Sequence, residues 1–156
     1  MDEALASVLT GGIVVVAVGD EHHGDDGAGP MIARILSARG VTSVIDSGSS
    51  PELETWRIRE LMPENVLFVD AVDFSGSPGD IAVLQPGDLR PGGFDTHRAP
   101  LRLTMEYLEK ELRCKCLLLA IQPADVSEGA PMCEEVKRSA ANVADLLRNG
   151  MLAHGC

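Results

Sequence analysis

Short apolar runs alternate along the chain with stretches whose apolar residues have helical spacing. The apolar runs fall at residues 13–18, 41–45, 65–69, 80–84 and 116–121. A continuous run rich in valine, such as 13–18, is typical of a strand buried on both faces of a parallel sheet. The pattern therefore predicts five strands, most of them in a parallel sheet.

Four helices are predicted from the remaining apolar positions. They cover residues 30–39, 51–61, 100–113 and 132–148, and a proline stands at the start of the first three, where it fits the first helical turn. Their candidate core residues are Met31, Ile32, Ile35 and Leu36; Leu53, Trp56, Ile58 and Leu61; Leu101, Leu103, Tyr107 and Leu108; and Val136, Ala140, Val143, Leu146 and Leu147. We expect residues 1–12 to be a loose, acidic lead-in and residues 150–156 a loose tail.

The connection between the third and fourth strands sets the sheet topology. Residues 73–79 are too few for the helical crossover that joins parallel strands, so we expect the fourth strand to be antiparallel at an edge. Strand and helix otherwise alternate. This predicts an α/β fold, a three-layer αβα sandwich around a mostly parallel, five-stranded twisted sheet with one antiparallel edge strand. Residues 1–156, 45% of them hydrophobic, are enough for a single domain with its own core.

Charge and composition limit the classes of partner. The chain has 13 Lys and Arg against 24 Asp and Glu, a net charge of −11. Such a surface repels phosphate backbones, so no nucleic acid partner is expected. The first residues lack the charged and apolar regions of a signal peptide, and the longest apolar runs are too short to cross a bilayer. We expect a cytoplasmic protein without membrane insertion.

Of the four cysteines, Cys116 is expected to be a reduced, buried thiol and the other three to be incidental. Cys114 and Cys116 are separated by one residue and have no matching second pair, so a zinc site of four cysteines is poorly supported. Cys116 is predicted to face the core of the fifth strand, as a small apolar side chain does.

Side chains that can bind a metal collect where three predicted strands end. Asp25 and Asp26 follow the first strand, Asp70 closes the third, and His97 lies in the long glycine- and proline-rich loop after the fourth. Ligands gather at this carboxyl edge in open α/β sheets. Two carboxylates and one imidazole suit a divalent transition metal such as Ni, Zn, Co or Fe.

Simpler roles are open for the same residues. Asp25 is equally suited to capping the following helix, where a carboxylate is favoured, whereas residues 27–29 separate Asp26 from the helical run. An acid such as Asp70 often forms a turn at the end of a strand. On a buried central strand, however, an Asp is rare, so a turn alone does not account for its presence there. The adjacent His22 and His23 are expected to be exposed.

The loop after the first strand is not a phosphate-binding loop. Gly19 and Gly24 have the outer spacing of one, but the Lys and Ser or Thr are missing, and Asp25 and Asp26 would repel a polyphosphate. A nucleotide or flavin domain is therefore disfavoured. The sequence also has no GxSxG elbow, no HExxH motif and no obvious Cys–His pair. A hydrolase with this sequence would rely on metal-assisted chemistry.

Five segments, in order along the chain, match the motifs of one known family. Val18-Gly19, with Asp26-Gly27-x-Gly29 after six intervening residues, is similar to its G-N-x-L-x-x-D-(D/E)-G-x-G. The other four segments are Asp46-Ser47-Gly48-Ser49 for D-x-G-(S/T), Val69-Asp70-Ala71-Val72-Asp73 with Pro78-Gly79 for D-A-x-D and P-G, Thr96-His97-x-x-Pro100-Leu101 for (S/T)-H-x-x-P-L, and Ala120-Ile121-Gln122-Pro123 for the I-Q-P strand exit. Together they resemble the maturation endopeptidases of nickel–iron hydrogenases, and their forms lean toward the branch that serves formate-hydrogenlyase-type or coenzyme-F₄₂₀-reducing hydrogenases.

The resemblance implies an activity, a partner and a ligand set. Members of this family remove a short C-terminal extension from the hydrogenase large-subunit precursor after nickel has been inserted. The nickel arrives with the substrate, so the purified enzyme need not contain it. The metal-contacting and catalytic positions of the family fall on Asp26 and Asp70, as carboxylates, and on His97, through a ring nitrogen.

Two positions depart from the family pattern. Asp20 replaces the usual Asn, and His22 replaces the usual apolar residue. The change at Asp20 affects which main-chain groups the loop orients, while His22 and His23 either tune metal affinity or bind adventitious metal. A non-catalytic, metal-dependent chaperone or checkpoint that docks the nickel-loaded large subunit would use the same ligands and is the alternative function.

Overall fold

The computed structural model describes residues 3–89 and 101–153. The helices are α1 (Glu3–Val8), α2 (Ala28–Ala38), α3 (Thr55–Glu60), α4 (Leu101–Leu112) and α5 (Glu134–Ala153), and the strands are β1 (Ile13–Ala17), β2 (Val44–Asp46), β3 (Asn65–Ala71), β4 (Ile81–Leu84) and β5 (Lys115–Ile121). Short 3₁₀ helices cover Gly24–Gly27, Pro51–Glu54 and Pro86–Asp88.

The strands form one sheet in the order β2-β1-β3-β5-β4. The first four strands of that order are parallel, and β4 is antiparallel to β5 at the edge. All seven residues of β3, the central strand, are buried. The predicted α/β fold with one antiparallel edge strand is confirmed, because the short β3–β4 connection does place β4 antiparallel.

Helices cover both faces of the sheet and complete three layers. One face packs against α1, α2 and α5, whose buried residues include Val8, Ile32 and Val143. The other face packs against α3 and α4 through Ile58 and Leu108, among others. Within the described ranges, no helix is both long and apolar enough to cross a membrane. The cytoplasmic location stays a prediction.

The chain ends are more ordered than predicted. Residues 3–8 form α1, and Leu5, Val8 and Leu9 are buried. Their spacing of three and four residues gives the short helix one apolar face. At the other end α5 continues to residue 153, and Met151 is fully buried. The prediction of loose termini is therefore wrong for residues 3–8 and 150–153.

Several candidate core residues of α3 and α4 lie on the surface instead. The exposed ones are Leu53 (69%), Trp56 (59%) and Leu61 (47%) near α3, and Leu103 (68%) and Tyr107 (44%) on α4. Only Ile58 of the four candidates near α3 is buried. The predictions near α3 are wrong because the segment is a 3₁₀ turn over Pro51–Glu54 followed by a short helix, so one uninterrupted helical spacing does not describe it. The predictions on α4 are wrong because its buried face is formed by Leu101, Thr104, Met105 and Leu108, and Leu103 and Tyr107 lie off that face.

Candidate active site

Asp26 lies in a tight loop that follows β1. The loop turns at Gly19, whose φ is +147° and where any Cβ would collide with the carbonyl oxygen of Asp26. The Asp20 N–H donates to Oδ2 of Asp26 at 2.9 Å, and the Asp26 side chain is largely buried. The Asp26 N–H donates to the His23 carbonyl at 3.1 Å. The carboxylate therefore has a defined direction within the turn.

Asp70 lies at the carboxyl end of the neighbouring strand. It belongs to β3, where it pairs in register with Ala120 of β5, and it is 1% exposed. Just before it, Val69 accepts a hydrogen bond from the Val18 N–H at 2.9 Å, so the two strand ends are tied together. The 3₁₀ helix that carries Asp26 also packs against β3. Both predicted carboxylates thus lie at the same edge of the sheet.

His97, the third predicted ligand, lies outside the described residues. Within residues 3–89 and 101–153, no three His, Cys, Asp or Glu side chains are grouped closely enough to hold a metal ion. Asp26 and Asp70 nevertheless fit a divalent cation, because they offer carboxylate oxygens at the carboxyl edge of the sheet, where ligands bind in open α/β folds. The oxygen and nitrogen donors of Asp26, Asp70 and His97 suit nickel chemically.

Asp25 does not cap a helix. The N-cap of α2 is Gly27, without a side-chain cap hydrogen bond. The fully buried Asp25 carboxylate instead accepts hydrogen bonds from the N–H groups of Ala124 (2.7 Å), Asp125 (3.1 Å) and Cys133 (2.7 Å). Desolvation raises the pKa of Asp25, but these hydrogen bonds outweigh it and hold the pKa below the usual value.

The two adjacent histidines have different surroundings. His22 is exposed, as predicted, and its N–H donates to Oδ1 of Asp20 at 2.9 Å. His23 is only partly exposed, and its Nε2 lies 3.5 Å from Oδ2 of Asp20. Asp20 therefore organises the loop through its backbone N–H and both carboxylate oxygens, which is the role that the unusual acid adopts at this position.

Gln122 is a structural residue of the site that was not among the predicted site residues. It follows β5 and is 6% exposed. Its Oε1 accepts hydrogen bonds from the N–H groups of Phe74 (2.9 Å) and Gly76 (3.0 Å), and its Nε2 donates to Oδ1 of Asp73 at 3.1 Å. Gln122 thus fixes the loop that leaves β3 directly after Asp70. The I-Q-P segment was the feature of the sequence that could have indicated Gln122. The hydrogen-bond partners of Gln122, however, lie 46 to 49 residues away along the chain.

An open cavity of about 320 Å³ adjoins the loop of Asp26. It lies between the loops that follow β1 and β2, and Asp20, His22, Asp46 and Ser49 contribute to its lining.

The two neighbouring cysteines lie at the other end of β5. Cys114 and Cys116 are both buried, with their sulfur atoms 4.0 Å apart. Hydrogen bonding to Cys114 and burial raise the pKa of the Cys116 thiol. The predicted reduced, inward-facing Cys116 is confirmed as a free, buried thiol.

Comparison with known proteins points to one family. Residues 31–149 match the sequence model of the family described as hydrogenase maturation protease. The hydrogenase 3 maturation protease of Escherichia coli strain K12 is 37% identical over 133 residues, which cover 83% of this chain and 85% of the relative.

Solved structures show the same similarity. The NiFe hydrogenase maturation protease HycI of Thermococcus kodakarensis superimposes with a TM-score of 0.86 at 26% identity, over 96% of this chain and 99% of that one. The endopeptidase HycI of Escherichia coli superimposes with a TM-score of 0.80 at 36% identity, over 88% of this chain and 90% of that one. The predicted resemblance is confirmed in sequence and in fold.

Proposed function

The chain belongs to the hydrogenase maturation protease family, and from this we propose that it is an endopeptidase that removes the C-terminal extension of a nickel-loaded hydrogenase large-subunit precursor. The relatives are named as proteases and as an endopeptidase. The sequence similarity covers more than four fifths of the chain, and the stretch that matches the family model, residues 31–149, contains Asp70.

The placement of Asp26 and Asp70 carries this proposal. Asp70 lies at the carboxyl end of β3, and Asp26 lies in the 3₁₀ helix that follows the neighbouring parallel strand β1 and packs against β3. Both side chains are buried at one edge of the sheet. Carboxylate oxygens at such an edge suit a divalent cation such as the one that the substrate would deliver.

The three residues have distinct roles in the proposal. Asp26 and Asp70 offer carboxylate oxygens, and His97 offers a ring nitrogen, to the nickel that the precursor carries. A nickel ion held by these residues would supply Lewis acidity for peptide-bond cleavage. The burial of Asp26 and Asp70 excludes water from the carboxylates and strengthens their attraction for the metal. Nickel is thus part of the substrate, and its presence marks a precursor that is ready for cleavage.

Substitution of the ligands tests the proposal. Asp70→Asn and His97→Ala remove a negative charge and an imidazole donor, respectively. We expect each to slow processing of the nickel-loaded precursor by more than about a hundredfold, since loss of groups that merely support metal ligands costs about 10–100-fold. The extent of cleavage is measured by electrophoresis and mass spectrometry of the precursor, and circular dichroism checks that each variant is folded.

His22→Ala is the matched control for the loss of an imidazole. His22 is exposed and its side chain is outside the proposed ligand set, so processing should stay within about twofold of wild type. Normal processing by Asp70→Asn or His97→Ala would refute the ligand assignment. A loss with His22→Ala as large as that with His97→Ala would move His22 into the ligand set.

A further inference from the structure

Asp25 makes an unusual set of contacts for a residue next to a proposed ligand. Its carboxylate accepts three backbone N–H groups, from Ala124, Asp125 and Cys133, and the Cys133 thiol lies 3.4 Å from Oδ2. All of these donors belong to the segment between β5 and α5. A buried carboxylate with several charge-assisted hydrogen bonds is a strong tether between two pieces of chain.

The backbone reinforces the same junction. The Asp25 N–H donates to the Asp125 carbonyl at 2.9 Å, and the Gly129 N–H donates to the His22 carbonyl at 2.8 Å. Gly24, with a φ of +57°, lies so close to Asp125 that any Cβ would collide with its carbonyl oxygen. The loop of residues 20–27 is therefore held against the segment that follows β5.

The segment that follows β5 also contacts the loop after β3, the strand that carries Asp70. Gln122 begins this segment and fixes the N–H groups of Phe74 and Gly76, while Gly79 donates its N–H to the Gln122 carbonyl at 2.9 Å. Residues 122–125 thus contact the loop after Asp70 at one end and Asp25 at the other. We call residues 122–125, with their contacts to Asp25 and to residues 73–79, the β5 brace.

We propose that Asp25 is a positioning residue that, through the β5 brace, sets the place of the Asp26 carboxylate relative to Asp70. This inference rests on the proposed function, which gives Asp26 and Asp70 a common ligand. Asp25 and Asp26 are consecutive in one 3₁₀ turn, so anchoring of the first side chain fixes the direction of the second. Asp25 itself points to backbone amides and does not contact the substrate metal.

Asp25→Asn is the decisive variant. It keeps the size of the side chain but replaces one acceptor oxygen with an NH₂ group that faces N–H donors. We expect processing per folded molecule to fall about 10–100-fold, the usual range for groups that orient a metal ligand. We also expect the amide proton signal of Asp20 to move in NMR spectra without substrate, because its acceptor is the displaced Asp26 carboxylate. Asp25→Glu, which keeps the charge, should recover part of both properties.

Two controls separate positioning from general stability. Val143→Ala removes core volume on α5, away from the brace, and lowers stability without moving the Asp20 amide signal. Asp145→Asn makes the same acid-to-amide change at an exposed residue paired with Arg39. Both should process the precursor within about twofold of wild type at a temperature where they are folded.

A milder variant covers the case in which Asp25→Asn does not fold. Cys133→Ala removes the thiol that contacts Asp25 and keeps the Cys133 N–H donor, so it should slow processing about threefold, the effect of one weak hydrogen bond. It should move the Asp20 amide signal in the same direction as Asp25→Asn. An unchanged Asp20 signal in both Asp25 variants and in Cys133→Ala would overturn the proposal.

The proposed function and this inference fail in different ways. If wild-type protein does not cleave the precursor, the endopeptidase proposal is refuted, while the Asp20 signal still reports on the brace. If wild type cleaves and Asp25→Asn cleaves as fast as Val143→Ala, the positioning role is refuted and the endopeptidase stands.

Discussion

Asp25 and Asp26 are adjacent acids with different environments. A 3₁₀ turn rotates successive side chains by about 120°, so they point in different directions. Asp25 faces the backbone N–H groups of a segment 99 to 108 residues away, while Asp26 accepts the N–H of Asp20 within its own loop. Sequence proximity cannot distinguish the two roles, because the donors to Asp25 become neighbours only in the folded sheet.

The low pKa of Asp25 predicts how stability depends on pH. A carboxyl whose pKa is lower in the folded than in the unfolded chain stabilises the fold above its unfolded pKa, and this contribution is lost as the pH falls through the folded pKa. The unfolding free energy of wild type should therefore exceed that of Asp25→Asn by a constant amount at neutral pH. This difference in unfolding free energy should narrow as the pH falls below 3.8, the usual pKa of aspartate.

Urea denaturation at a series of pH values measures that difference. The control is Val143→Ala, whose difference from wild type should be independent of pH because the substitution removes no titrating group. A wild-type to Asp25→Asn difference that widens on acidification would contradict a low pKa for Asp25.

At the scale of the elements, strands were predicted better than helix surfaces. Continuous runs such as residues 13–18 and 116–121 identify strands directly, because a strand buried on both faces leaves little choice of residue. Helix faces depend on phase and on neighbours. Trp56 and Leu103 have helical spacing yet lie on the surface, whereas Leu5 and Val8, in a segment predicted to be loose, are buried against the sheet.

Two residues of α3 test whether burial, and not helical spacing alone, determines the contribution of a side chain to stability. Ile58 is fully buried and Trp56 is 59% exposed. Ile58→Ala should lower the unfolding free energy by about 2–5 kcal/mol through the loss of burial and the cavity left behind. Trp56→Ala should lower it by less than about 1 kcal/mol. Equilibrium denaturation measures both, and a larger effect at Trp56 than at Ile58 would contradict the packing of α3.

At the scale of the whole molecule, the sheet topology joins distant segments into one site. The sequence predicted Asp26 and Asp70 at a common edge because each follows or closes a strand of a mostly parallel sheet. The structure places Asp70 in β3 and Asp26 in the 3₁₀ helix after the neighbouring strand β1. Gln122 and the donors to Asp25 could not be predicted, because each makes contacts that only the order β1-β3-β5 brings together. The role of His97 stays a prediction that rests on the family motif.

Under the proposed function, this protein cleaves a large-subunit precursor only when the precursor carries nickel. Wild-type protein should be incubated with nickel-loaded and with nickel-free precursor, and the intact mass of each precursor should be measured by mass spectrometry. We expect the nickel-loaded precursor to lose a C-terminal peptide and the nickel-free precursor to keep its mass. A nickel-loaded precursor that binds stably but keeps its full mass, as a checkpoint protein would leave it, would contradict the proposed function, and so would equal cleavage of both precursors.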